Sequence, residues 1–328
     1  MNVVLDDGSP GVLWDEAEGE AGFADAFRFV HWARDQNDPL LQPALLPCRI
    51  ETVTEKLLAA TAGAARELNV PVRLHCMQGL GEWEKLDASP VEVLRRTGRL
   101  SPQLLIPHGI FVDSHSRLRT GNADLAALAE AGVSIVHCPM TSTRYGSALE
   151  SFGRYRAAGI NLTLGTDSFP PDLVRGMDYG VNLAKILDRR LNAASPADYL
   201  RAATTGAAQA LGRDDLGRLA PAAQADLVAF PLDDYCDGVA DDPVRTLLYN
   251  RNARHPRLTM VAGRTVVRDG ELIRVDLKSA RAGHGNPASA QRGLLDPRSP
   301  ATASRRDLPA ELPSARQRRA DGQFVDPA

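Results

Sequence analysis

The sequence predicts an α/β fold, a parallel sheet of (β/α)-barrel type with a small β appendage, on three observations. Short apolar runs alternate with helical periodicity over residues 40–190, the pattern of βα units around a parallel sheet. Polar groups stand where those runs end: His75 after 70–74, His108 after 104–106, His137 after 133–136 and Asp167 after 160–164. A (β/α) barrel assembles a metal-centred site from such strand C-terminal ends. Beyond residue 215 the pattern changes to short strands separated by turn residues.

Taken in order, 43–46 reads as a weak strand, and a helix beginning at Thr52 carries Val53, Leu57, Ala60, Ala64 and Leu68 at helical spacing. The strand 70–74 follows. Ser89 is an N-cap with Pro90 in the first turn, and Val91, Val93 and Leu94 mark the helix that returns to the strand 104–106. Residues 122–132 and 149–158 read as helices, closed by Gly132 and Gly159, before the strands 133–136 and 160–164. The repeated Ala-Gly before a strand predicts one αβ turn used twice. Helices are expected over 173–191 and 196–211, and His31 falls in a helical stretch at 27–32.

The appendage rests on 225–230, 258–261 and 264–267 as strands, with turns at Gly263 and Asp269-Gly270. From Ser279 onward Ala, Arg, Pro and Ser dominate, too few large apolar groups to offset the entropy of ordering. The expected organisation is a partial barrel over 1–215, a β-sandwich-like appendage over 216–278 and a disordered tail over 279–328.

Composition sets the broad class. A chain of 328 residues, 44% hydrophobic and 24% charged, suits a globular protein with a sizeable core. The net charge of −3 gives no reason to expect nucleic acid or an anionic membrane, so the expected partner is a small-molecule substrate. Cys48, Cys76, Cys138 and Cys236 form no CxxC pair, which fits a reducing cytoplasm rather than a disulfide framework. No signal peptide and no window of membrane-spanning length can be read.

A catalytic zinc or iron site needs neutral imidazoles and carboxylates with one position left to water. His75 and Asp167 meet that need from different strands, and His108 is the neighbouring base that would orient the activated water. Each histidine also has a reading as a hydrogen-bonded barrel residue, and His137 divides evenly between fixing a loop and functioning. Strand alternation turns Cys76 and Cys138 away from the histidines, which favours packing over ligation. His31, His115, His255 and His284 read as surface or packing residues. Trp83, Phe111, Tyr145 and Phe169 could stack on a flat ring, but packing is favoured for most of them.

Together these residues resemble the amidohydrolase superfamily, in its aminohydrolase and chlorohydrolase branch acting on nitrogen heterocycles. The resemblance rests on Leu74-His75-Cys76-Met77-Gln78, the stretch from His108 to Asp113, His137-Cys138-Pro139, Gly165-Thr166-Asp167-Ser168, the Thr204 to Gly206 segment, Ala225-Asp226 and the final hairpin. It implies a partial (β/α)8 barrel, zinc (alternatively iron) held by His75 and Asp167, and His108 placing water and substrate. Asp167 also receives a proton. The implied reaction removes an amino, amine or chloride group from the ring by attack of metal-bound hydroxide.

Two departures accompany the resemblance. The family's His-x-His pair of ligands occurs nowhere in this chain, which implies that two or three βα units before Met1 are missing. Gln78 stands at the catalytic position where many relatives have a proton-shuttling glutamate, and an amide cannot carry a proton. His108, Asp167 or Glu82 could take over, although Glu82 reads as a solvated loop or helix-start residue. An open barrel leaves a strand edge that another chain would cover, so a homo-oligomer stays open. The alternative function is a catalytically inactive barrel fragment acting as a binding or assembly partner. A nucleotide-binding protein ranks last, since neither a Walker A run nor GxGxxG follows a strand.

Overall fold

The computed structural model describes residues 15–168, 170–250 and 255–273, with backbone strands also at Asn2–Val4, Pro10–Val12, Gln317–Arg318 and Phe324–Val325. His284, Phe169 and the expected tail apart from those last two strands lie outside the described residues. The chain divides into two compact units, Met1–Pro43 with Arg274–Ala328, and Ala44–Ile273. In the first, the helix Glu16–Asp35 is capped by Asp15, whose side chain accepts from Glu18 N; it includes His31, which is exposed.

The second unit is built on four parallel strands in sequence order: Val72–Arg73, Leu104–Pro107, Ser134–His137 and Asn161–Leu164. Their register places Arg73, Leu105, Ser134 and Asn161 in one row and Pro107, Val136 and Thr163 in the next, all on one face. Alternation sends Val72, Leu104, Ile106, Ile135 and Leu162 to the other face, and all five are buried. Leu105, Ser134 and Thr163 of the first face are buried as well, while Arg73 is exposed, so the strands read largely as apolar runs, which is why they were visible in the sequence. The expected strand at 43–46 is a single bridge: Leu45 pairs with Val72 in parallel, and Arg49 with His75. Proline at 43 and 47 cannot donate to a ladder, which keeps that pairing short.

The helices follow their caps. The helix Glu55–Leu68 starts later than expected, because Ile50–Thr52 is a separate 3-10 turn and Thr54 is the cap that accepts from Leu57 N. Leu58, Ala62, Ala65 and Leu68 bury one face of it. Ser89 caps Pro90–Arg96 as expected, and Ser151 caps Phe152–Ala157. Gly132 and Gly159, at φ 68 and 92, close the two equivalent αβ turns. The helix expected over 196–211 is broken into Pro196–Ala203 and Thr205–Ala210 at Thr204, where ψ is −90°. The break brings Gly206 against the strand: a Cβ there would lie 2.9 Å from Leu162 O, and Asn161 Nδ2 donates to Gly206 O at 3.0 Å.

The appendage strands form an antiparallel sheet, in the order Glu271–Leu272, Arg264–Arg268, Leu258–Val261 and Leu227–Ala229. Both turns expected from the sequence are present, with positive φ at Ala262, Gly263, Asp269 and Gly270. Two successive positive-φ residues match the right-handed twist of the flanking strands. Among the described residues no helix is long and apolar enough to cross a membrane.

Candidate metal centre

Strand alternation alone does not explain how the strand-end groups meet. His75 continues the Arg73 face of its strand and turns inward without distortion. His108 follows Pro107 and by alternation belongs with Ile106, on the side of the helices. Its φ of +72° reverses that direction, and Gly109 N donates to Pro107 O at 3.1 Å across it. A bond from residue i+2 back to residue i around a positive φ is a strained γ-turn. Asp167 repeats the device: its φ is +55°, and Ser168 N donates to Thr166 O at 2.6 Å.

The three side chains converge. One donor atom each from His75, His108 and Asp167 lies within 4.8 Å of the others, the sole such set of His, Cys, Asp and Glu groups among the described residues. The His75 and His108 rings are 5.4 Å apart, and His108 Nε2 is 4.0 Å from Asp167 Oδ2. His75 Nδ1 lies 3.2 Å from Cys48 O, which sets Nδ1 as the protonated nitrogen and leaves Nε2 with a free lone pair. His108 Nε2 is buried without a hydrogen-bond partner. Burial holds His108 down to about 4, against Asp167 and with help from His75 and Arg49, so its imidazole is neutral at physiological pH. Two imidazole nitrogens, that of His108 an orphaned buried atom, and a carboxylate form a donor set that suits a divalent cation.

Other expected groups fall elsewhere. His137 has no such turn, so it stays on the helix side, 6.2 Å from the Phe152 ring and 6.1 Å from that of Tyr199. Cys76 and Cys138 are buried and absent from the donor cluster, and burial raises both thiols, Cys138 to about 12. His115 is a packing residue, 3.5 Å from Glu150 Oε1 and accepting from Arg117 N. His255 is exposed. Phe111 is buried and accepts the Trp83 indole N–H through its carbonyl, whereas Tyr145 is exposed.

Glu82 corrects the sequence reading. It does stand at a helix start, in Gly81–Leu86, but it is 2% exposed rather than solvated. Its carboxylate accepts the N–H groups of Met77, Gln78 and Gly79 at 2.5, 2.7 and 3.0 Å. Burial and then Glu51 push its pKa up, while those three amides pull it back. Both oxygens are engaged in holding the loop after His75, so Glu82 is not placed to carry a proton. Gln78 is half-buried on that same loop.

A cavity of about 410 Å³ opens beside the cluster, with His75 and Asp167 on its wall and Arg73, Leu105, Val136 and Thr163 along the sheet face. Strand alternation predicts neither the Cys48 O contact nor the two γ-turns. Proline and glycine beside His108, in Pro107-His108-Gly109, and glycine two residues before Asp167, in Gly165-Thr166-Asp167, were the available signal of unusual backbone.

An 8-oxoguanine deaminase of Pseudomonas aeruginosa is 32% identical over 281 residues, 83% of this chain and 61% of the relative. A 5-methylthioadenosine/S-adenosylhomocysteine deaminase of Halobacterium salinarum is 28% identical, over 81% of this chain and 62% of its own length. An adenosine deaminase from Xanthomonas campestris, solved with bound zinc, superposes with a TM-score of 0.73 at 27% identity, covering 80% of this chain and 59% of that one. An atrazine chlorohydrolase from Arthrobacter aurescens shares the fold, with a TM-score of 0.70 at 24% identity over 79% of this chain and 59% of that one. The chain thus spans about three fifths of the length of these relatives. The model of the amidohydrolase family matches residues 24–266, and the chain belongs to that family.

Proposed function

We propose that the protein is a metal-dependent hydrolase that removes an amino, amine or chloride group from a nitrogen heterocycle. The observation that carries this reading is the convergence of His75, His108 and Asp167 within 4.8 Å on strand ends of a parallel sheet. His75 and Asp167 would hold the ion, zinc in preference to iron, since the solved neighbour from Xanthomonas campestris carries zinc. A divalent metal bound there supplies Lewis-acid activation of water. The neutral His108 offers its unpartnered Nε2 to that water or to a ring nitrogen of the substrate. Asp167, exposed on the cavity wall, takes the proton that water releases and returns it to the leaving group. Gln78 contributes a hydrogen-bonding amide to the ring and transfers no proton.

In this reading the chemistry lies within residues 1–215 and the 216–278 sheet is an appendage. The four free thiols fit a reducing cytoplasm. A second reading, an inactive barrel fragment serving as a binding or assembly partner, draws on the absence of any His-x-His. Metal analysis separates the two: near-stoichiometric zinc after purification supports the hydrolase, and no retained metal supports the fragment. Asp167→Asn should lower bound zinc and abolish ring deamination or dechlorination, and near-normal turnover in that variant would overturn the assignment.

A further inference from the structure

The turn that carries Asp167 is anchored from another element. Thr141, in the helix Pro139–Arg144, is 3% exposed, and its Oγ1 lies 2.9 Å from Thr166 O and 2.6 Å from Ser168 Oγ. Those two residues flank Asp167. A hydroxyl has one proton and a carbonyl can only accept, so the Thr141 proton goes to Thr166 O and the Ser168 hydroxyl donates to Thr141. Ser168 Oγ then has lone pairs for Arg144 Nη1, at 3.4 Å. Thr166 O thereby receives two donors, the Ser168 amide that closes the γ-turn and the hydroxyl that fixes it to the next helix.

Thr141 differs from other threonines of this unit. Thr61, Thr97, Thr143 and Thr204 each donate to the carbonyl four residues earlier in their own helix, the usual local bond. Thr141 instead reaches across 25 residues to the strand end. The hydroxyl therefore adds nothing to its own helix, and its bonds fall on both sides of a residue held at φ +55°.

We propose that Thr141 is a positioning residue for Asp167, holding the γ-turn so that the carboxylate faces His75 and His108. The inference rests on the metal-centre reading and names the group that preorganises it. Groups one step beyond a metal ligand typically change metal affinity about 10–100-fold when removed.

The test compares the native full chain with Thr141→Val, which keeps the shape and removes the hydroxyl, and Thr141→Ser, which restores it. Cobalt(II) is the probe, followed by its visible spectrum and by titration. Thr141→Val should bind cobalt about 10–100-fold more weakly with an altered band shape, whereas Thr141→Ser should stay within about threefold of native. A threonine that only packs would shift melting temperature in the valine variant and leave cobalt affinity and spectrum alone; that result would overturn the proposal. Amide hydrogen exchange of the 163–168 segment, read without metal, should be about tenfold faster in Thr141→Val and native-like in Thr141→Ser, as expected for opening of an anchored turn. If the native chain takes up no cobalt, the metal-centre reading fails, and the exchange comparison still decides whether Thr141 holds the turn. Should the valine variant not fold, Ser168→Ala removes the other arm, and unchanged exchange and cobalt affinity there would overturn the anchor.

Discussion

Replacing His137 by leucine tests whether a strand-end histidine lies outside the site and acts on stability alone. The ring is 3% exposed, packs beside Phe152 and Tyr199, and its Nδ1 has no hydrogen-bond partner. Burial, followed by His108, drives its pKa down from 6.5 to about 3, so it folds neutral. The sign follows from linkage: with the folded value below the unfolded one, the unfolded chain binds the extra proton. Stability is therefore complete above about pH 6.5 and declines toward pH 3 by about 1.4 kcal/mol per pH unit. Between pH 6.5 and 4.5 the single group accounts for about 2–3 kcal/mol. Leucine has a similar volume and cannot titrate. Urea unfolding of both proteins at pH 7.5, 6.5, 5.5 and 4.5 should show the variant gaining on the native chain by that amount, while the His108 contribution cancels. Parallel curves for the two proteins would refute the reasoning, because they would mean that His137 accepts its proton in the folded state.

Glu82→Gln replaces an anion that accepts three backbone amides with an amide that presents one oxygen and two surplus donors. The expected loss is about 2–4 kcal/mol in urea unfolding at pH 7, and a change under 0.5 kcal/mol would show that the loop holds itself. Gly109→Ala introduces a methyl group 2.8 Å from Ile135 Cδ1 at a φ of +57°, next to His108. It should cost about 2–4 kcal/mol from overpacking and backbone strain together, and lower zinc uptake in parallel, as read by melting temperature and metal analysis.

Much of the sheet was legible because buried parallel strands are written as apolar runs and their helices end in recognisable caps. Ser89, Gly132 and Gly159 each marked a boundary through local chemistry that needs no tertiary context. The break at Thr204 was not legible, since a lone glycine such as Gly206 is tolerated within a helix and the break answers to the strand at Leu162. Glu82 was misread for a similar reason: a glutamate at a helix start is usually solvated, and only the fold shows three successive amides closing on it. Three of the four strand-end polar groups converge, and the fourth, His137, is distinguished from His108 by a backbone torsion that the flanking Pro107 and Gly109 hint at without specifying.

That torsion supports the site more than its distances do. A non-glycine residue at positive φ in such a turn costs about 1–3 kcal/mol, a sizeable share of a typical folding stability of about 5–15 kcal/mol. Many other positive-φ residues of the chain sit where helices or hairpins end: Asn69, Asp87 and Arg189 as helix C-caps, Ala262 and Asp269 in the appendage turns. There the conformation terminates an element. His108 and Asp167 terminate nothing that an ordinary turn would not terminate equally well, as His137 demonstrates on the strand between them. What the two strained turns do accomplish is to bring an imidazole and a carboxylate from separate strands to 4.0 Å. Strain at two of the three residues that converge, and its absence from the neighbouring histidine that does not, is what is expected when geometry at one point in space constrains the backbone.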